Sequence, residues 1–267
     1  MRIGCAAWML GLDRFLDAVR AACDAGLTAV SFACPPQERL SADEQKELVE
    51  LMENHDLFAT LHTAVGMKGD SEWRKALERR LALIRQWHEQ TGRLACVTFD
   101  PGYVDKNEPW RFDLAGSSNT LQSAVEVFVP LGVRVAIENG YSFLNTISDL
   151  KEFAEVMKSV QVGMLLDLGH VNMCFQKYGW DPGEFVHECP LEIIEIHIHD
   201  NDGDNDQHLP LGQGNLDLKP IVAALKIIGF DGIATLENRG FDSASGARDT
   251  WRKCAAIFRE VWDGAGT

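Results

Sequence analysis

The sequence predicts an α/β protein of the (β/α)8, or TIM, barrel type, and three observations lead there. Short β-rich runs alternate with longer helical patterns from one end to the other, which is how a parallel sheet wrapped by helices reads in sequence. Eight such pairs can be counted. The length, 267 residues, suits one barrel, a fold of about 250 residues. No Pro/Gly/Ser-rich linker, charge block or low-complexity stretch divides the chain, so residues 1–267 are read as one domain.

The strand candidates are Arg2–Ala7, Leu27–Ala33, Leu57–His62, Leu94–Asp100, Val133–Glu138, Val162–Asp167, Ile193–His199 and Gly232–Glu237. Each is a short apolar run, as expected of strands covered on both faces. The helical stretches between them carry start signals. Ser41-Ala42-Asp43-Glu44 has capping-box spacing, Asp70 precedes a long amphipathic run that ends near Gly92, and Asp181-Pro182 sets a cap before a proline suited to the first helical turn. Gly26, Gly132 and Gly229 fall between a helical stretch and the next strand, where a left-handed residue ends a helix. A final helix, about Arg248 to Trp262, completes the count. A doubly wound open sheet is the competing fold, but it calls for a Gly-rich phosphate turn after the first strand, and Cys5-Ala6-Ala7-Trp8 is not one.

Composition narrows the function. Hydrophobic residues make up 46% and charged residues 24% of the chain, and no apolar run approaches the roughly 20 residues of a membrane span. The start, Met1-Arg2-Ile3-Gly4-Cys5, has no apolar signal region, and seven cysteines without a C-x-x-C pair fit reduced thiols packed as small core residues. A cytoplasmic protein without a membrane partner is expected. The net charge of -15, from 25 basic and 40 acidic residues, argues against nucleic acid, whose binding rests on clustered Lys and Arg.

In a barrel of this type the C-terminal strand ends form the mouth of the site, so polar residues that terminate apolar strands are the ones to collect. Strand three ends in His62, strand four in Asp100, strand five in Glu138 and Asn139, and strand six in Asp167. Strand seven runs Glu195-Ile196-His197-Ile198-His199-Asp200, and strand eight ends in Glu237. A lone acidic residue at a strand end is more often a helix cap or a solvated loop residue than a ligand. The case for ligands rests on the set. Two ionised carboxylates about 4 Å apart repel by roughly 4 kcal/mol at an effective dielectric near 20, so converging acids require a cation or bound protons. Imidazole among carboxylates is a mixed O/N donor set compatible with a divalent metal ion such as Mn2+, Mg2+, Co2+, Fe2+ or Zn2+.

The spacing and neighbours of these residues resemble the xylose-isomerase-like superfamily of sugar isomerases, epimerases and endonuclease IV-type AP endonucleases, over essentially the whole chain. The motifs concerned are Ile137-Glu138-Asn139, Leu166-Asp167-Leu168-Gly169-His170, His197-Ile198-His199-Asp200, the run from Asp206 to Gly214, and Leu236-Glu237-Asn238. The resemblance implies that Glu138, Asp167, His197 and Glu237 are metal ligands. On strand seven Glu195, His197 and His199 share one face, and the family pattern of a ligand followed three residues later by an acid selects His197, with Asp200 as the acid. His199 is then expected nearer solvent, touching a ligand residue or substrate, with the alternative that His199 and not His197 is the ligand, and Glu195 as a polar residue of the barrel interior. His170 faces substrate or a further metal by resemblance, and a helix-capping histidine by its position alone.

Other residues are read more plainly. The stretch Asp200 to Asp206 has its glycine at the fourth position and no Glu at the twelfth, so it is an acidic solvated loop and not a calcium loop. His55, His88 and His187 lie on helical stretches as surface residues. Trp8 is either an apolar wall of the pocket or an ordinary core tryptophan.

Three functions compete. The first is an aldose-ketose isomerase or ketose epimerase acting on a small sugar or polyol, in which Glu138 and Glu237 move a proton next to a carbonyl. His62, His170, His199, His208 and Trp8 would then contact substrate, and Arg239 would hold a carboxylate or phosphate. The arginine that some of these epimerases place after the strand-seven ligand has no counterpart between Asp200 and His208. The second is a phosphodiesterase resembling the AP endonucleases, which use three zinc ions. His62, Asp100 and Glu138 would hold one ion, the shared four ligands another, and His170, Asp206 and His208 a third, although the family has His where this chain has Asp100. The third is a degenerate barrel that binds without turnover, against which the intact acidic set speaks. Substrate and oligomeric state are not legible.

Overall fold

The structure is a computed structural model that describes residues 1–64, 71–101, 103–105, 108–112, 114–140 and 144–265. Eight parallel strands close into a barrel: β1 (Arg2–Ala6), β2 (Ala29–Phe32), β3 (Phe58–Ala64), β4 (Leu94–Asp100), β7 (Arg134–Glu138), β8 (Gly163–Asp167), β9 (Ile193–Ile198) and β10 (Ile233–Leu236). They neighbour one another in the order β1-β10-β9-β8-β7-β4-β3-β2. Pairing of β1 with β10, Gly4 opposite Thr235, closes the ring. All eight expected strands form. Among the described residues an antiparallel pair, β5 (Tyr103–Asp105) with β6 (Glu108–Phe112), is added after β4.

The helices are α1 (Phe15–Asp24), α2 (Ala42–Asn54), α3 (Ser71–Thr91), α4 (Leu114–Phe128), α5 (Ile147–Val156), α6 (Leu168–Tyr178), α7 (Pro182–Glu188), α8 (Leu218–Ile227) and α9 (Ala244–Gly264). Local chemistry starts several of them. Ser41 and Glu44 form the reciprocal capping box of α2, satisfying two otherwise unpaired N–H groups. Asp181 caps α7 ahead of Pro182, while Asp70, expected to open α3, lies outside the described residues. Gly26, Gly132 and Gly229 take φ of 72°, 77° and 72°, the left-handed ending that the sequence called for. The last helix starts four residues earlier than expected because Ser243, through its hydroxyl, accepts the Gly246 N–H.

The core lies between barrel and helices. Its largest fully buried side chain is Trp251 of α9, whose ring meets Phe241 edge-on at 5.4 Å between centroids. Trp251→Ala should cost about 3–5 kcal/mol in urea unfolding, the usual consequence of emptying a tryptophan site. Trp251→Phe should cost clearly less, since the indole Nε1 has no hydrogen-bond partner among the described residues and its loss leaves no acceptor unpaired. Five cysteines are buried and two half-buried, and all seven are free thiols. Among the described residues no helix is long and apolar enough to cross a membrane.

Candidate functional site

Glu138, Asp167, His197 and Glu237 stand on or next to β7, β8, β9 and β10, four strands adjacent in the barrel. Register sets Asp167 opposite His197 and His197 opposite Thr235. Glu138 and Glu237 therefore flank the other two. His197 Nδ1 lies 3.1 Å from Glu237 Oε2, 3.8 Å from Glu138 Oε1 and 3.9 Å from Asp167 Oδ2. All four residues are buried. Neither ring nitrogen of His197, nor Asp167 Oδ2, has an aligned hydrogen-bond partner among the described residues.

Asp167 does two jobs with two oxygens. Its Oδ1 caps α6 by accepting the His170 N–H at 2.7 Å, while Oδ2 is left to face His197. Asn139 fixes the strand end, accepting the Asp167 N–H at 2.7 Å and donating to its carbonyl at 3.3 Å. Asp167 is thus a helix cap through one oxygen, while the other remains directed at the centre of the cluster.

The carboxylates share protons unequally. Burial, reinforced by the charges of Asp100 and Asp167, raises the Glu138 pKa well above the usual glutamate range. Burial pushes Asp167 the same way, but the surrounding His170 and His199 outweigh it and hold Asp167 well below its ordinary value. Glu237 is likewise lowered, burial being outweighed by His197 and His208. Among the histidines, burial disfavours the charged form of His62, yet Asp100 raises it to about 9. His170 is raised to about 10 by Asp167 and Asp206 against the same opposition. In this cluster protons do the neutralising that a cation would do.

The remaining expected residues gather around this centre with one exception. His62 contacts Asp100 at 2.9 Å and Glu138 at 3.4 Å. Its ring stacks on Trp8 at 5.6 Å, so Trp8 is a pocket wall. His170 Nδ1 is 2.7 Å from the Asn139 carbonyl, and its Nε2 points toward Asp206 at 3.8 Å. Asp206 Oδ2 contacts His208 Nε2 at 3.1 Å. His208 takes φ of 52°, an unfavourable value for a side-chain-bearing residue, with its Nδ1 2.9 Å from the Glu237 carbonyl. The exception is Arg239, which is exposed and contributes only its backbone N–H, to the His208 carbonyl.

Two expectations need correction. His199 is not near solvent: it is fully buried, 3.1 Å from Asp167 Oδ1, 3.6 Å from Asp206 Oδ1 and stacked on His208 at 4.1 Å. Gly169 makes room for it, since a Cβ there would come within 1.9 Å of the imidazole. Nor is the loop from Asp200 to Asp206 simply solvated. Asp200 is buried and accepts the N–H groups of Asn201, Gly212 and Leu216 at 3.0, 2.9 and 3.0 Å, which pulls the segment back over the barrel. Asp202 and Asp204 remain exposed. Of the three helical histidines, His55 and His187 are exposed and His88 is half-buried.

Trp8, His62, Asp100, Glu138, His170, Asp206, His208 and Glu237 line a cleft of about 400 Å³ together with Thr63, Ala33 and Arg80. Arg80 was not expected. It comes from the middle of α3, donates to Thr63 Oγ1 at 3.3 Å and forks onto Glu38 with two contacts of 3.1 Å. Nothing in a helix rich in charges singles out one arginine, so only the tertiary placement of α3 reveals it.

The donor set fits a divalent ion. Three carboxylates from three strands surround one imidazole nitrogen, buried polar atoms are left unpaired among them, and hard oxygen with one nitrogen donor suits such a cation. Glu138, Asp167 and His197 can offer ligand atoms within 4.8 Å of one another. His62 with Asp100 and Glu138, Asp167 with His170 and His199, and His199 with His208 and Glu237 satisfy the same criterion.

The fold has counterparts among known proteins. An uncharacterized protein of Methanocaldococcus jannaschii is 24% identical over 246 residues, covering 87% of this chain and 82% of that one. A D-tagatose 3-epimerase-like protein has the same fold with a TM-score of 0.78 at 23% identity, covering 98% and 97% of the two chains. D-psicose 3-epimerase with D-tagatose from Clostridium cellulolyticum H10 superposes with a TM-score of 0.75 at 15% identity over 98% and 99%. An L-ribulose 3-epimerase does so with 0.72 at 18% over 99% and 95%. The model of the xylose isomerase-like TIM barrel family matches residues 19–261, and the chain belongs to that family.

Proposed function

We propose that the protein is a divalent-metal-dependent isomerase or epimerase of a small sugar or polyol, working by proton transfer at a carbon next to a carbonyl. The observation that carries this reading is the order Glu138, Asp167, His197, Glu237 along four adjacent strands, with a glutamate at each end. A substrate carbon lying between the two glutamates could lose its proton to one and regain it from the other on the opposite face. Without an ion, burial with Asp100 and Asp167 raises the Glu138 pKa, whereas His197 and His208 lower that of Glu237 against burial, so the two glutamates stand in unlike surroundings. A divalent ion held by Glu138, Asp167, His197 and Glu237 would supply polarisation of the substrate carbonyl. His62, His170 and His208, all lining the cleft, would bind hydroxyls, and Trp8 would cover an apolar face of the sugar. Sugar epimerases among the similar folds support the substrate class.

A second reading is favoured by one observation. The triads built on His62 and Asp100, and on His170 and His199, could hold further ions, as a phosphodiesterase resembling AP endonucleases would require. The net charge of -15 opposes a duplex substrate. One experiment separates the two: metal analysis of the purified protein, paired with assays on ketoses, inosose-like polyols and an abasic-site duplex. About one ion per chain with turnover of a ketose or polyol is the expected result; close to three zinc ions with duplex cleavage would replace the first reading by the second.

A further inference from the structure

We propose that Glu195, which is outside the candidate ligand set, is a positioning residue that orients His197 toward the metal. This rests on the reading that the four-residue site binds a divalent ion. Glu195 sits two residues before His197 on β9, on the same inward face and one layer deeper, with no solvent exposure. The two nitrogens of His197 look in opposite directions. Nδ1 faces the carboxylates of Glu138, Asp167 and Glu237, whereas Nε2 faces Glu195 Oε1 at 3.8 Å.

The surroundings of Glu195 are arranged for a carboxylate that only accepts. Thr60 and Thr235 donate to Oε1 at 2.9 and 2.6 Å, and the Cys96 thiol donates to Oε2 at 3.3 Å. The Thr60 hydroxyl is itself 2.6 Å from Ser31 Oγ. Strands β2, β3, β4 and β10 thus hold this one side chain in place. Every donor around it is neutral, and burial together with Glu195 itself raises the Cys96 pKa well above the usual thiol range. A buried carboxylate with neutral donors is a costly arrangement unless it faces a partner that gains positive character.

His197 is that partner. Its Nε2 has no hydrogen-bond partner among the described residues, although it lies in the fully buried interior. A shift of under about 1 Å brings it to hydrogen-bond distance of Glu195. A carboxylate there favours the tautomer with hydrogen on Nε2, which leaves the Nδ1 lone pair aimed at the three acids. Outer carboxylates of this kind commonly contribute 10- to 100-fold to metal affinity. A glutamine would turn its carbonyl oxygen toward Thr60 and Thr235 and so keep an acceptor near Nε2, but it removes the negative charge that holds hydrogen on Nε2 and makes the imidazole a stronger donor to the ion.

The test measures Co2+ binding to metal-depleted protein by equilibrium dialysis, with the visible Co2+ spectrum and the melting temperature of the metal-free protein recorded alongside. For Glu195→Gln the expected result is a Kd weaker by about 10- to 100-fold, an altered spectrum and a metal-free melting temperature that does not fall. Glu195→Asp keeps the charge but retracts it, and should lie between wild type and Gln. A Gln variant that binds within about threefold of wild type, or whose loss of affinity is matched by loss of metal-free stability, overturns the proposal. If Gln prevents folding, the Asp variant decides: weakened binding with unchanged metal-free melting supports the role, and wild-type affinity refutes it. Failure of the wild-type protein itself to bind Co2+ would refute the metal reading on which the role depends, and so is told apart from failure of Glu195.

Discussion

Glu138→Gln and Glu237→Gln are each expected to lower kcat by roughly 10²- to 10⁴-fold, the usual cost of removing a general acid or base. Glutamine preserves the volume and one oxygen acceptor in a site where both glutamates are buried, so the barrel should stay folded by circular dichroism. What disappears is the carboxylate that takes or delivers a proton, and with it a negative charge facing His197 Nδ1. Part of the loss will come from weaker metal binding. Assays at rising metal concentration separate the two contributions, because saturation restores the bound ion without restoring the missing base. The two variants should also differ in direction: the glutamates stand at opposite ends of the four-strand row, so exchange of the substrate proton with solvent should be blocked more completely by one than by the other. Retention of more than about half of the wild-type rate by either variant on a confirmed substrate would remove that glutamate from the chemistry.

The barrel was readable because its strands are apolar runs buried on both faces, and because capping residues such as Ser41 and Asp181 announce the helices between them. The site was readable for a related reason. A polar residue that ends an apolar strand, as Glu138 and Asp167 do, stands at the mouth of the barrel. Legibility ended where position depends on segments folding back. The β5 and β6 pair is short and carries Pro109 within it, so it offers no strand periodicity. His199 was expected near solvent because the strand pattern runs out there; its burial is created by Asp200, whose three backbone contacts return the following loop over the barrel. Arg80 reaches the cleft from the side of α3, and Arg239, adjacent in sequence to a candidate ligand's strand, turns away from it. Sequence adjacency places a residue near a strand end but does not decide on which side of the rim its side chain falls.

Loading the metal-depleted protein with Mn2+ or Co2+ is expected to raise its melting temperature, and the increase should grow with pH. An ion at a thousand times its Kd stabilises the folded state by about 4 kcal/mol, on the order of 10 °C for a chain of this size. The sign of the pH effect follows from what holds the charges apart when no ion is bound. Burial with Asp100 and Asp167 keeps a proton on Glu138, and Asp100, Asp167 and Asp206 keep protons on His62 and His170 up to about 9 and about 10 against the cost of burial. These pKa values are raised, so the stability they give the metal-free protein is complete below the ordinary glutamate and histidine values and is lost as pH climbs through the folded ones. A bound divalent ion takes over the neutralising role and expels protons, which makes its binding weaker in acid. Between about pH 6 and about pH 9 the metal-free protein should therefore lose stability while the loaded protein holds it, widening the gap between their melting temperatures. Differential scanning calorimetry across that window, with proton release on Co2+ addition followed in weakly buffered solution, reads both halves of the argument. Equal melting temperatures with and without metal at every pH, with no protons released, would show that the four residues are a self-neutralised polar cluster and not a metal site.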